Sequence, residues 1–180
     1  MPPPGTAPGI GATLVKAIVV VGHGAPPSDV PRDLVTRLKS LEGRRRAMGA
    51  PMGDEERELD ARIRHWPRTP ETDPYVGGVE AVAAAVRSAA SGVEVVVAYN
   101  EFCAPSLEDA VVALHARGFR AIDVVPTMLT KGGVHSEVEI PEALEFLRKT
   151  LPDLALHYAW PFDPSAVASL LIETIEARRG

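Results

Sequence analysis

Two histidines stand beside glycines at places where an apolar run has just ended. Residues 17–21 (AIVVV) lead directly into Gly22-His23-Gly24, and residues 121–125 lead through a short loop to Gly132-Gly133 and His135. Glycine lets the backbone turn tightly and come close to a ligand. Imidazole can bind a metal ion or carry a proton near neutral pH. Taken alone, either histidine has the simpler interpretation of a solvated loop side chain.

A carboxylate follows a third apolar run in the same way. Residues 93–99 (VEVVVAY) are followed at once by Asn100 and Glu101. If the runs are parallel strands, their carboxyl ends lie along one edge of the sheet, where ligands bind in α/β proteins. His23, Glu101 and His135 are therefore expected to converge on one cleft. Two imidazoles and a carboxylate suit divalent iron, cobalt, nickel or zinc, so these three residues are the candidate metal ligands and catalytic groups.

The elements that must position these residues alternate along the chain. Continuous β-branched runs are typical of strands buried on both faces of a parallel sheet, and right-handed crossovers place the intervening helices on both faces. We therefore predict an α/β fold, a three-layer parallel sheet with helices on both faces. The predicted strands are residues 17–21, 93–99, 121–125 and 154–159, and the predicted helices are residues 30–46, 54–66, 74–91, 107–117, 141–150 and a last one from 164.

Residues 31–73 form a helical insertion after the first strand in this prediction. The insertion is too short to bury a core of its own, so its leucine-rich stripes must pack on each other or on the sheet. We expect a flap beside the cleft within a single domain of residues 1–180. The basic run of residues 44–46 is interpreted as a solvated face rather than a carboxylate-binding patch. The Pro/Gly-rich residues 1–14 are predicted to be a disordered lead-in.

Composition excludes several classes of function. The formal net charge of −5 gives no reason to expect nucleic-acid binding. The single cysteine excludes an internal disulfide and a cysteine-rich metal site within one chain. No apolar run is long enough to span a bilayer. A cytoplasmic globular protein that does not bind membranes is the expectation.

Three motifs in fixed order carry a resemblance to a known family. They are VVVGHG at residues 19–24, YNEFCAPSLEDAVVAL at residues 99–114, and VVPTMLTKGGVHSEVEIPEAL at residues 124–144. In this order they resemble the class II tetrapyrrole chelatases, especially the small sirohydrochlorin cobaltochelatase/ferrochelatase group. The resemblance implies a chelatase-like fold and an enzyme that inserts cobalt or iron, or else nickel, into a tetrapyrrole such as sirohydrochlorin. The metal is then a substrate, and no permanently bound cofactor is implied.

The family's residue roles carry over onto the matching positions. The histidines of GHG and GGxH, here His23 and His135, are implied to bind the metal and face the macrocycle. Glu101 is implied to be a metal-binding or proton-handling carboxylate. Small chelatases of this kind look like half of a two-lobed enzyme, so the resemblance also implies a homodimer. Ala25-Pro26 replaces the family's usual Ser-Arg, which leaves a protoporphyrin ferrochelatase-like enzyme open as an alternative.

Two other classes of function remain to be weighed. A histidine just after the first strand is also typical of histidine-dependent phosphatases and mutases, but that chemistry needs a neighbouring arginine, and Ala25-Pro26-Pro27 does not supply one. A non-enzymatic metal or tetrapyrrole carrier would need the same ligands as a chelatase. The sequence leaves this second alternative open.

Overall fold

The sheet has four parallel strands in the order β2-β1-β3-β4 in a computed structural model that describes residues 16–179. The predicted lead-in of residues 1–14 lies outside the described residues. β1 is central and pairs with both β2 and β3, so the strand that precedes His23 lies beside the strands that precede Glu101 and His135. The strands are β1 Lys16–Gly22, β2 Glu94–Tyr99, β3 Ala121–Pro126 and β4 Ala155–Tyr158.

Six α-helices lie within residues 16–179 beside the sheet, and the predicted α/β architecture is confirmed. They are α1 Arg32–Met48, α2 Asp54–Arg64, α3 Pro74–Ala89, α4 Leu107–Ala116, α5 Ile140–Thr150 and α6 Pro164–Arg179. Sequence signals explain where several of them begin. The side chain of Asp73 accepts a hydrogen bond from the backbone N–H of Val76, with Pro74 in the first turn of α3. Ser106 and Asp109 form a reciprocal capping box at the start of α4.

The alternating residues of β1 pack against helices on opposite faces of the sheet. Ala17, Val19 and Val21 belong to a core cluster with the inner faces of α4 and α5. Val20 belongs to a second cluster with α3. Burial on both faces explains why β1 is a continuous apolar run without polar alternation.

α1 and α2 pack against each other and against the loop that carries Glu101. Leu38 of α1 and Ile63 of α2 are buried together with Phe102, which directly follows Glu101. Residues 31–73 therefore contain the two predicted helices, and these share a core with the cleft side of the sheet. None of the helices within residues 16–179 has both the length and the apolar character needed to cross a membrane.

α6 carries apolar residues along its length, but no residue of α6 is buried against the rest of residues 16–179. Leu170, Leu171, Ile172 and Ile175 are each about half exposed.

Candidate metal centre

The turn after β1 is locked against the loop after β2. The backbone N–H of Asn100 donates to the carbonyl of Gly22 at 2.9 Å, and that of Glu101 donates to the carbonyl of His23 at 2.8 Å. Gly24 has φ +92°, and a Cβ atom there would lie 1.8 Å from the carbonyl oxygen of Glu101. Only glycine satisfies both the backbone angle and the close approach. His23 and Glu101 are thus held side by side by main-chain geometry.

The backbone around His23 engages one of its two ring nitrogens. Its Nδ1 atom lies 2.7 Å from the carbonyl oxygen of Gly24. A carbonyl can only accept, so Nδ1 carries a proton, and in the neutral ring the lone pair is then on Nε2. The backbone N–H of His23 donates to the hydroxyl of Tyr75 at 2.7 Å, which also fixes the main chain at this residue. This neutral tautomer is the form that a metal ligand or a proton acceptor requires.

Glu101 is buried, and its two carboxylate oxygens have different surroundings. Oε2 accepts a hydrogen bond from Nζ of Lys39 at 2.5 Å, whereas Oε1 faces His135. The next residue, Phe102, has φ +57° and is buried between α1 and α2. Packing of that ring stabilises a backbone angle that side chains rarely adopt. The helical insertion therefore fixes the direction of Glu101.

His135 lies on a helix rather than on the predicted loop. Residues His135–Glu139 form a π-helical turn that runs directly into α5, and the backbone N–H of Ile140 donates to the carbonyl of His135. Pro141 explains the widened turn, because it has no N–H to donate and its ring crowds the carbonyl four residues earlier. One turn along the helix, Oε2 of Glu139 lies 2.6 Å from Nδ1 of His135.

The surroundings of Glu139 fix the tautomer of His135. Asn100 donates through Nδ2 to Glu139 at 2.5 Å, and Arg46 forms an ion pair with the same carboxylate. Nδ1 of His135 lies 2.6 Å from Oε2 of Glu139 and 2.8 Å from Nδ2 of Asn100. An ionised carboxylate can only accept, so Nδ1 is assigned the proton. Nε2 of His135 then carries the lone pair and lies 3.5 Å from Oε1 of Glu101. A carboxylate behind a ligating histidine is the usual supporting arrangement in metal sites.

The structure brings the three predicted site residues together. One ligand atom each of His23, Glu101 and His135 lies within 4.8 Å of the others. The two imidazole rings meet edge to face, with their centroids 4.5 Å apart. A divalent metal sits about 2.0–2.2 Å from each nitrogen or oxygen ligand, so small side-chain movements would close the group around an ion. Both lone-pair nitrogens and the free oxygen of Glu101 are suited to that task.

Burial favours the neutral form of His135. Desolvation lowers the pKa of this imidazole, and the positive charges of Lys39 and Arg46 act in the same direction. The carboxylate of Glu101 raises the pKa but does not outweigh burial. His135 therefore stays available as a ligand or proton acceptor below the pH at which an ordinary histidine becomes protonated.

An open cleft of about 670 Å³ adjoins Glu101. Part of its wall is apolar, from Val134, Val138 and Phe146, and part comes from the basic residues Arg45 and Arg46 of α1. Both arginines are in ion pairs, Arg45 with Glu56 and Arg46 with Glu139. Arg44 and Arg46 are exposed, as expected for a solvated face, whereas Arg45 is partly buried against Glu56.

Several residues near the ends of the strands have structural roles. Tyr99 and Phe102 are buried in core clusters. Ser106 is engaged in capping α4, and the backbone N–H of Gly132 donates to the side chain of Glu137. Burial raises the pKa of the Cys103 thiol, in keeping with a small core residue.

Sequence reasoning missed four residues that support the centre. Lys39 and Arg46 reach it from α1, far from the motif positions in sequence, so no local pattern marks them. Glu139 could have been found, because histidine and glutamate four residues apart share a face of a helix. Asn100 stood beside Glu101 without an assigned role, and it joins the loop after β2 to Glu139.

A family model described as CbiX matches residues 71–178. Among solved structures, the chain is similar to a CbiX protein from Marinobacter aquaeolei VT8 that has been assigned to cobalamin (vitamin B12) biosynthesis. The two share 18% identity with a TM-score of 0.52, over 92% of this chain and 98% of that one. No curated protein matches the sequence.

Two longer structures also match. One is the sirohydrochlorin chelatase SirB from Bacillus subtilis subspecies spizizenii in complex with cobalt, at 19% identity and a TM-score of 0.42, over 81% of this chain and 43% of that one. The other is SirB from Bacillus subtilis with Fe3+, at 19% identity and a TM-score of 0.41, over 81% and 40%. The chain thus spans about two fifths of the length of these two relatives.

Proposed function

Because the chain belongs to the CbiX family, whose model covers more than half of it, we propose that it is a chelatase that inserts a divalent metal ion into sirohydrochlorin. Cobalt and iron are the first candidates for the metal. The observation that carries the proposal is the convergence of His23, Glu101 and His135 beside an open cleft. The ion is a substrate, and no further cofactor is needed for the reaction.

The residues have distinct tasks in the proposed reaction. Nε2 of His23, Nε2 of His135 and Oε1 of Glu101 hold the incoming ion after it sheds water. As the ion passes to the four pyrrole nitrogens of the macrocycle, two pyrrole protons must leave. The vacated imidazoles lie next to the reacting centre and accept those protons, and Glu101 passes them toward solvent. After both protons have passed to solvent, the protein has the same net charge as before it bound the metal ion.

A metallation assay tests the proposal. Purified protein is mixed under anaerobic conditions with sirohydrochlorin and with Co²⁺, Fe²⁺ or Ni²⁺, and the absorbance of the macrocycle is followed over time. A chelatase gives repeated turnover above the rate without protein, and His23→Ala and His135→Ala abolish it. Saturation at one equivalent per protein would instead indicate a carrier. Turnover with protoporphyrin but not with sirohydrochlorin would indicate the ferrochelatase-like alternative.

We further propose that the active form is a homodimer in the cytoplasm. The apolar residues of α6 are half exposed along several turns, and pairing with a second copy would cover them. Sedimentation velocity should give a dimer that Leu171→Glu dissociates. Val112→Glu, at an equally exposed apolar residue of α4, should leave the dimer intact. A monomeric wild-type protein at micromolar concentration would contradict the proposal, and cell fractionation tests the location.

We also propose that residues 31–73 act within the same domain, as one wall of the cleft. Their helices share a core with Phe102 and line the cleft with Arg45 and Arg46. Replacing residues 32–72 by a short Gly/Ser linker should therefore impair metallation and macrocycle selectivity together. Unchanged metallation and selectivity in the deletion variant would assign the insertion to another partner.

A further inference from the structure

We propose that Lys39 is a positioning residue that keeps the divalent metal weakly bound at the centre, so that the ion can leave for the macrocycle. The inference rests on the proposed function and assigns a task to a residue outside the three motifs. Lys39 belongs to α1, and its ammonium nitrogen lies 2.5 Å from Oε2 of Glu101, one of the candidate ligands.

The ammonium group of Lys39 is held in place by three contacts. Nζ lies 2.5 Å from Oε2 of Glu101 and 2.9 Å from Oε2 of Glu42. It also lies 4.8 Å from the centroid of the Phe102 ring, within the range of a cation–π contact. The Lys39 side chain is 40% exposed, whereas that of Glu101 is 10% exposed. The partly exposed side chain of Lys39 thus approaches the buried carboxylate of Glu101 from the solvent side.

The first consequence concerns the coordination of the metal by Glu101. A free carboxylate can bind a metal through one oxygen or through both. With Lys39 on Oε2, only Oε1 remains for the ion, on the side that faces Nε2 of His135. Lys39 therefore directs Glu101 toward single-oxygen coordination, which is weaker and easier to reverse.

The second consequence is electrostatic. An ion on Oε1 of Glu101 would lie about 6 Å from the ammonium nitrogen, since the two oxygens belong to one carboxylate. A double and a single positive charge at that distance repel enough to weaken binding about tenfold, even with the dielectric constant of water. Weak ground-state binding is an advantage in a transfer reaction, because an ion held tightly in the ground state has a higher barrier to leave.

Direct metal binding separates this role from a structural one. Isothermal titration with Co²⁺ in the absence of macrocycle should show that Lys39→Met binds about tenfold more tightly than wild type. Lys39→Arg keeps the charge and should bind as wild type does. Glu42→Gln removes a negative charge from the same cluster and should weaken binding a few-fold. Loss of structure would weaken binding in both Lys39→Met and Glu42→Gln, so the opposite signs identify the electrostatic effect.

A matched control and a kinetic measurement complete the test. Lys149→Met removes the same charge from an exposed ion pair at the far end of α5 and should leave Co²⁺ affinity unchanged. In the metallation assay, Lys39→Met should lower kcat while metal saturation occurs at lower concentration. If both Lys39→Met and Lys39→Gln bind Co²⁺ as wild type does or more weakly, the proposed role of Lys39 is wrong, while the proposed function of the protein is unaffected. Absence of Co²⁺ binding by the wild-type protein would overturn the proposed function as well.

Discussion

Glu139 contacts the ring nitrogen of His135 that does not face Glu101: its Oε2 atom lies 2.6 Å from the Nδ1 atom of the imidazole. The two residues are four positions apart, and only the helical backbone of residues 135–139 brings them together. Arg46 and Asn100 hold the far side of the carboxylate. The chain therefore fixes which nitrogen of His135 faces Glu101 before any ligand arrives.

Glu139→Ala should weaken Co²⁺ binding by about 10- to 100-fold, the usual effect of removing the partner of a ligating histidine. The physical reason is that His135 is then free to rotate and to change tautomer. Titration calorimetry measures the loss. Glu145→Ala removes an exposed carboxylate from the following turns of the same helix and should have no effect. Equal Co²⁺ affinity in wild type and Glu139→Ala would refute the supporting role.

Gly24→Ala should disrupt the centre and destabilise the fold. The added Cβ would meet the carbonyl of Glu101 at a backbone angle that alanine avoids, so the two loops must move apart. We expect a loss of at least about 2 kcal/mol in the free energy of unfolding, measured by urea denaturation. Gly78→Ala is the control: it lies in α3 with open space around it, and it should stabilise the protein by about 0.5–1 kcal/mol.

Arg68→Ala should cost about 3–5 kcal/mol of unfolding free energy, because it leaves the buried carboxylate of Asp73 without its ion-pair partner. Arg68 also donates to the carbonyls of Ala25 and Phe102, so the loops beside the centre lose support. Arg57→Ala breaks an exposed pair with Asp54 and should cost less than about 1 kcal/mol. Similar losses for the two variants would contradict the structural role of Arg68.

The lowered pKa of His135 makes the protein sensitive to acid. Between that lowered pKa and the ordinary value of about 6.5, the unfolded chain binds a proton that the folded chain does not. The contribution of His135 to stability is therefore complete above about pH 6.5 and is lost as the pH falls through the folded-state pKa.

Urea denaturation at about pH 7.5 and about pH 5.5 measures this effect. His135→Gln should reduce the difference in unfolding free energy between the two conditions. His157→Gln, which removes an exposed imidazole, should retain the acid sensitivity that His135 contributes. A wild-type difference that survives unchanged in His135→Gln would assign the acid sensitivity to other groups.

The sequence predicted the fold because the local sequence patterns agreed with the overall α/β architecture. The β-branched run of β1 required burial on both faces, and the Asp73-Pro74 and Ser106–Asp109 signals marked helix starts that the structure confirms. The convergence of His23, Glu101 and His135 followed from the parallel arrangement alone. Each of these features can be read from neighbouring residues of one strand or one helical turn, once the strands are taken to be parallel.

The features that the sequence did not predict depend on contacts between segments that are distant along the chain. No sequence pattern around Lys39 or Arg46 indicates that these side chains of α1 form ion pairs with Glu101 and Glu139. The helix at His135 was hidden by Gly132-Gly133 and Pro141, which are typical of loops. The sequence did not predict the exposure of α6 either. Apolar residues on one face of a helix predict that the face is buried, but they do not identify what covers it.

The central position of β1 has a consequence for the order in which the protein becomes functional. β1 must pair with β2 and with β3, which are remote in sequence, before the three candidate ligands can meet. Closing such long loops is slow compared with forming helices. A nascent or half-folded chain therefore holds isolated histidines with little affinity for metal, and the complete centre arises only with the finished sheet. Metal capture is thus a property of the native state, and bound ion should retard its unfolding.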